Sequence, residues 1–232
     1  LFRDGAVMKR YLTANGLASN QVRVLLRDRR NRLWIGTNKG LHCLENGQLR
    51  LYTASQGLGG NYVFSLREDE EGTLWIGTFD GGLTRFRDGR FVRFGPESGF
   101  PAPSVFQILE DDQGYFWFGS SKGIFRVRRQ DLNDYAEGKL ANPHFTAFGI
   151  ADGLNSRGVD GGQPAGCRTG DGRLWFPTMK GLSVVDPRDI HPNQLPPPVA
   201  LEAVVAGGRE YAPVGTVEIP PGQRDLEFQF TA

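Results

Sequence analysis

Few side chains in this chain have both the type and the spacing that chemistry demands. The three histidines, His42, His144 and His191, are scattered without metal-ligand spacing. The two cysteines, Cys43 and Cys167, sit at non-equivalent places, which favours two buried free thiols over a disulfide framework. The acidic clusters Asp69-Glu70-Glu71 and Asp111-Asp112 could offer oxygens to calcium, but they fall where solvated turns are expected and no ligand series accompanies them. No metal, no cofactor and no catalytic residue is therefore expected. The segments Asn15-Gly16-Leu17 and Asp152-Gly153-Leu154 read as turns, and no phosphate-loop or nucleophile-elbow spacing occurs. Four tryptophans, Trp34, Trp75, Trp117 and Trp175, could form a sugar-stacking platform, but their setting argues otherwise.

Each tryptophan sits in a copy of one motif: NRLWIGTNKGL at Asn31–Leu41, GTLWIGTFDGGL at Gly72–Leu83, GYFWFGSSKGI at Gly114–Ile124 and GRLWFPTMKGL at Gly172–Leu182. Successive tryptophans are 41, 42 and 58 residues apart. A fixed period of that size means one supersecondary unit copied in tandem. A residue present in every copy within an apolar run builds the scaffold, so the tryptophans are assigned to packing between units.

The second copy shows how a unit is built. Tyr62–Arg67 is rich in strand formers and ends at Glu68-Asp69-Glu70-Glu71-Gly72, where Asp caps a type I turn and Gly takes the positive-φ exit. Leu74-Trp75-Ile76-Gly77-Thr78 has no polar alternation, as expected of a strand buried on both faces. Leu83–Phe86 and Arg90–Phe94 flank Asp88-Gly89, a hairpin signal. Four short antiparallel strands in about 40 residues, repeated, make a β-propeller blade. The expected fold is all-β, with a partial blade at 1–11 and blades at 12–52, 53–94, 95–148 and 149–190. The longer third interval places twelve extra residues around Gln130–Gly138 and four more in Asn155–Cys167, both read as loop insertions.

Leu195-Pro196-Pro197-Pro198 reads as a linker closing the propeller region 1–194. Beyond it, residues 199–232 alternate apolar and polar, as in the opening strands of an Ig-like sandwich. The chain has 232 residues, 27 basic and 26 acidic, with a formal charge of +1. That balance lacks the basic face a nucleic-acid partner needs. No apolar run approaches the ~20 residues of a membrane helix. Leu1 in place of Met, and a first stretch matching the end of a blade, suggest a fragment of a longer ring.

The copies resemble the repeat of the two-component regulator propeller family: Gly16-Leu17…Asp28…Leu33-Trp34-Ile35-Gly36-Thr37…Gly40-Leu41, and again Gly57-Leu58…Asp69…Leu74–Thr78. The segment Gly181–Pro187 is similar to that family's closing blade. Pro220–Phe228 is similar to the opening of the triple-tyrosine (Y-Y-Y) domain, although Tyr211 is the one tyrosine of the tail. The resemblance implies a seven-bladed ring and an extracytoplasmic, periplasmic sensor. It also implies attachment through a membrane segment outside this chain, and an output through a histidine kinase or a diguanylate cyclase. A small-molecule or oligosaccharide ligand is the implied partner, and a homodimer is one assembly open to the full-length protein. Two other classes stay open: a propeller enzyme of the streptogramin-lyase type, which wants a ring-face histidine beside an acid, and a protein-interaction scaffold.

Ligand contacts in such a ring belong where the loop into the first strand meets the loop after the Trp strand. The candidates are Asn20, Asn61, Ser104 and Arg157 from the former, and Asn38, Phe79, Asp80, Lys122 and Lys180 from the latter. Arg157 leads, because its enlarged loop could reach over the axis. Expressed alone, a piece of a ring leaves blade faces uncovered, so it is expected to associate or exchange strands. A monodisperse, cooperatively melting monomer in sedimentation and thermal scans would contradict this.

Overall fold

A computed structural model of the chain describes residues 2–3, 6–7, 9–190, 200–212, 216–222 and 225–231. The chain forms two compact units, Leu1–Pro187 and Arg188–Ala232. The first opens on a short ribbon of β1 (Phe2–Arg3) and β2 (Ala6–Val7). Three four-stranded antiparallel sheets come next, each built from consecutive strands. They are β3 (Val22–Arg27), β4 (Leu33–Thr37), β5 (Gly40–Glu45) and β6 (Gln48–Tyr52); β7 (Val63–Glu68), β8 (Leu74–Thr78), β9 (Leu83–Arg87) and β10 (Arg90–Phe94); and β11 (Gln107–Glu110), β12 (Tyr115–Ser120), β13 (Gly123–Arg128) and β14 (Thr146–Phe148). The first strands of successive sheets, β3, β7 and β11, lie against one another, so they are the inner strands of propeller blades. The fourth repeat differs: three strands are present among the described residues, β15 (Cys167–Arg168), β16 (Leu174–Thr178) and β17 (Gly181–Val185), with an added bridge from Val159 to Thr178.

The turn chemistry agrees with the sequence. Asn31, Gly72, Gly114 and Gly172 occupy the left-handed exits, and Asp88-Gly89 has positive φ at both positions, as a type I′ hairpin requires. The aspartates do more than cap. Asp69 Oδ1 accepts the amides of Glu71 and Thr73, while Oδ2 accepts the indole N–H of Trp75 at 2.8 Å. Asp28 and Asp111 receive Trp34 and Trp117 at 2.8 and 2.7 Å in the same way. Asp69 and Asp111 are 1% and 6% exposed, which corrects the expectation of solvated acidic turns. Burial pulls the Asp28 carboxyl up, but the Trp34 indole, the Arg32 amide and the Arg32 guanidinium outweigh it and hold the pKa below the ordinary value.

Two of the three anchored indoles then meet an aromatic ring across the seam, while Trp117 stacks on Phe148 of its own blade. Trp34 meets Phe86 of the second blade edge-on at 5.4 Å, and Trp75 meets Phe116 of the third at 5.2 Å. Beside each indole, the strand glycine admits a valine from the next blade. A Cβ on Gly36 would stand 2.7 Å from Val63, and one on Gly77 would stand 2.6 Å from Val105. The fourth copy breaks the pattern twice. Its indole is only half-buried and donates to Thr169 Oγ1 at 3.2 Å, and Pro177 stands where the glycine should be.

The twelve-residue insertion is not a loop. Arg129–Ala136 forms α1, with Leu132 fully buried in the core shared by the second and third blades. Asn133 accepts a hydrogen bond at 2.8 Å from the buried Arg85 of the second blade, and Tyr135 packs on Phe94. The helix thus clips two blades together. Cys43 is buried, but Cys167 is exposed, which corrects the expectation of two buried thiols.

In the second unit β18 (Ala200–Ala206) lies between β19 (Arg209–Tyr211) and β20 (Leu226–Thr231). Among the described residues this unit is a single three-stranded antiparallel sheet. Leu201, Leu226, Phe228 and Phe230 are exposed. The proline run read as a linker, and His191, lie outside the described residues.

Replacing Asp69 with Ala strands the buried indole N–H and two amides, and is expected to cost about 2–4 kcal/mol. Leu132→Ala should cost about 2–5 kcal/mol by leaving a cavity. Urea titration of each variant checks both values. A double-mutant cycle of Asp69→Ala with Trp75→Phe should show coupling above about 0.5 kcal/mol.

Candidate functional site

The turn after the second strand and the loop entering the first strand share one end of each blade, since both cross between strands there. Two groups of side chains gather at this end. The first is aromatic. Phe64 and Phe106 come from equivalent places on or just before the inner strands β7 and β11, one residue after the seam valines Val63 and Val105. Their rings are 5.2 Å apart. Tyr62 lies 4.8 Å from Phe64, and Phe79, from the β8–β9 turn, stacks on Phe64 at 5.9 Å with half its surface exposed. Arg23, the equivalent residue of the first blade, spreads its guanidinium 5.3 Å from the Tyr62 ring and donates to the Tyr62 hydroxyl. Its Nε is buried without a partner.

The enlarged loop of the fourth repeat reaches this group. Ala165 is fully buried against Phe64 and Phe106, and Gln163 Nε2 donates to the Phe64 carbonyl at 3.0 Å. The loop therefore crosses to the second and third blades, but by Gln163 and Ala165. Arg157 is exposed, with no side-chain partner among the described residues.

The second group lines a cavity of about 290 Å3 at the seam of the second and third blades. Asp80 and Lys122 come from the turns after β8 and β12, and Arg93 from β10. Phe100, Ala102 and neighbouring prolines form the apolar wall.

The remaining candidates belong to neither group. Asn20 Oδ1 accepts the Thr13 amide and Asn61 Oδ1 accepts the Ala54 amide, each at 2.8 Å, so both hold the preceding turn. Ser104 is buried and hydrogen-bonded to Ser121. Asn38 donates to Gln21 at 2.6 Å, and its Oδ1 is buried without a partner. Lys180 is exposed, and its carbonyl accepts from Asn155. Arg23, Tyr62, Phe64, Phe106, Gln163 and Arg93 escaped the sequence reading. A signal was available: the residue after the seam valine changes from Arg23 to Phe64, Phe106 and Asp160 while the valine stays.

The model of the two component regulator propeller family matches residues 16–39, 57–80 and 99–122, one stretch in each of the first three blades. Among curated proteins nothing matches. Of solved structures, the extracellular domain of the hybrid two component system BT3049 from B. thetaiotaomicron superposes with a TM-score of 0.69 at 24% identity, over 94% of this chain and 28% of that one. The corresponding domain of BT4673 gives 0.62 at 23%, over 76% and 25%. Virginiamycin B lyase from Staphylococcus aureus gives 0.50 at 15%, over 73% and 57%. This chain thus spans about a quarter of the length of the first two neighbours.

His42 stands apart from both groups. It is fully buried on β5, where Nε2 accepts the Ala18 amide at 3.1 Å and Nδ1 has no partner. Thr84 does the same for Gly59 in the next blade at 3.0 Å. Burial pushes the His42 pKa below the usual 6.5 and outweighs the opposing influence of the Gly16 backbone. The unfolded chain then binds a proton before the folded one, so this contribution is intact above 6.5 and lost as pH falls through the folded value. His42→Thr should flatten the fall in melting temperature between about pH 7 and about pH 5. Parallel melting curves for variant and parent would refute the assignment.

Proposed function

We propose that this chain, whose first three blades carry two component regulator propeller repeats, is the extracytoplasmic ligand-sensing module of a bacterial transmembrane signalling protein. The observation that carries the reading is the match of that family's repeat to three consecutive blades. The likeness to extracellular domains of two component systems supports the same placement, in the periplasm. The fixed residues, Asp28, Asp69, Asp111 and their tryptophans, hold the frame. The residues that change from blade to blade collect at one end, where a ligand can be read. The ligand is a small molecule or an oligosaccharide, and the signal passes to a histidine kinase or a diguanylate cyclase. No helix among the described residues is long and apolar enough to cross a membrane, so attachment falls to another segment of the protein.

An enzyme of the lyase type would ask for a histidine at the loop-rich end. His42 is buried and committed to a backbone amide, and His144 precedes β14 on the connection at the opposite end. Neither geometry favours that reading.

The test is output from the full-length protein in cells. Phe79→Ala or Arg23→Ala is expected to raise the ligand concentration for half-maximal output about tenfold. Arg157→Ala measures whether the exposed arginine of the long loop contributes as well. A polypeptide that ends after the second unit, with no membrane segment or output domain, would sink the proposal.

A further inference from the structure

Several arginines on the blades pair with acids: Arg32 with Asp28, Arg67 with Glu110, Arg87 with Glu71 and Arg168 with Asp112. The cavity between the second and third blades instead brings exposed, unpaired charges of both signs together. Asp80, Arg93 and Lys122 all line it, and none has a side-chain partner among the described residues, not even one another. A carboxylate and two cations that share one cavity yet stay apart leave room for a ligand carrying the complementary charges.

The site is also held in shape. The turn that carries Asp80 is one residue longer than its counterpart in the first blade, Asn38-Lys39-Gly40. It is pinned by the Gly82 amide donating to the Pro103 carbonyl at 2.8 Å and by the Gly81 amide donating to Thr78 Oγ1 at 3.1 Å. The Asp80 carboxylate lies over Gly60, where any Cβ would collide with it. The lining also has an apolar part, with Phe100 and Ala102 each 5% exposed.

We propose that this cavity binds a small amphoteric molecule of α-amino-acid size. Arg93 and Lys122 take its carboxylate, Asp80 takes its ammonium, and Phe100 and the flanking prolines take an apolar side chain. A cavity of about 290 Å3 suits such a molecule. The inference deepens the sensing reading and rests on it for its biological sense, while binding itself is measured without it.

The experiment is calorimetric titration of the full-length protein with leucine and phenylalanine. The matched probes are 4-methylpentanoate, which lacks the ammonium, and 3-methylbutylamine, which lacks the carboxylate. At least one amino acid should bind, and both matched probes should bind about tenfold weaker or more. Arg93→Gln with Lys122→Gln should abolish binding. Asp80→Asn should reduce the amino acid to the level of 4-methylpentanoate, with melting temperatures confirming that each variant folds. No heat from either amino acid, equal binding of the matched probes, or indifference to these substitutions in folded protein would each overturn the site. Output in cells to some other ligand, with no amino-acid binding here, would leave the sensing reading standing and remove only this one.

Discussion

The rest of the structure depends on a buried carboxylate with two simultaneous tasks. One oxygen of Asp28, Asp69 or Asp111 closes a turn and the other holds an indole six residues on. A carboxylate so buried is tolerable only because donors surround it. In return, Trp34 and Trp75 are fixed at the depth where the next blade's aromatic ring meets them. Because a single side chain sets both the turn and the seam, a blade cannot keep its strand pairing and lose its neighbour's fit independently.

The fourth repeat lacks this anchor, and its packing is looser for it. Thr169 offers one hydroxyl where the others offer a carboxylate, and Trp175 is correspondingly less buried. Pro177 replaces the glycine that admits a valine elsewhere. The frame is therefore strictest across the first three blades, the same stretch that carries the family repeat and both side-chain groups at the loop-rich end. Rigid seams beneath variable loops are what a recognition surface needs, since the loops can differ without disturbing the strands.

Much of this was legible in the residues. The period of the tryptophans, the Asp-to-Gly turns and Asp88-Gly89 led to blades, because these signals are local and their chemistry is fixed by backbone geometry. The second oxygen of the aspartate was not legible, since a spacing of six residues around a turn gives no sign that the indole folds back. Helix α1 was hidden for a different reason: the sequence around Leu132 is polar overall, and its helicity comes from docking onto the second blade. Asn20 and Asn61 are the same residue type at matching offsets, and each holds the turn before it through one amide. The inner-strand positions Arg23, Phe64 and Phe106 were overlooked because strands were credited with structure and loops with recognition.

The central claim, that the buried Asp–Trp bond is the constraint on which the frame rests, has a direct readout in the four indole N–H groups. In a proton–nitrogen spectrum of the protein with labelled tryptophan, hydrogen exchange of each indole can be tracked separately. The account predicts slow exchange for Trp34, Trp75 and Trp117, and markedly faster exchange for Trp175, whose partner is Thr169. Four indoles exchanging at one common rate would contradict it.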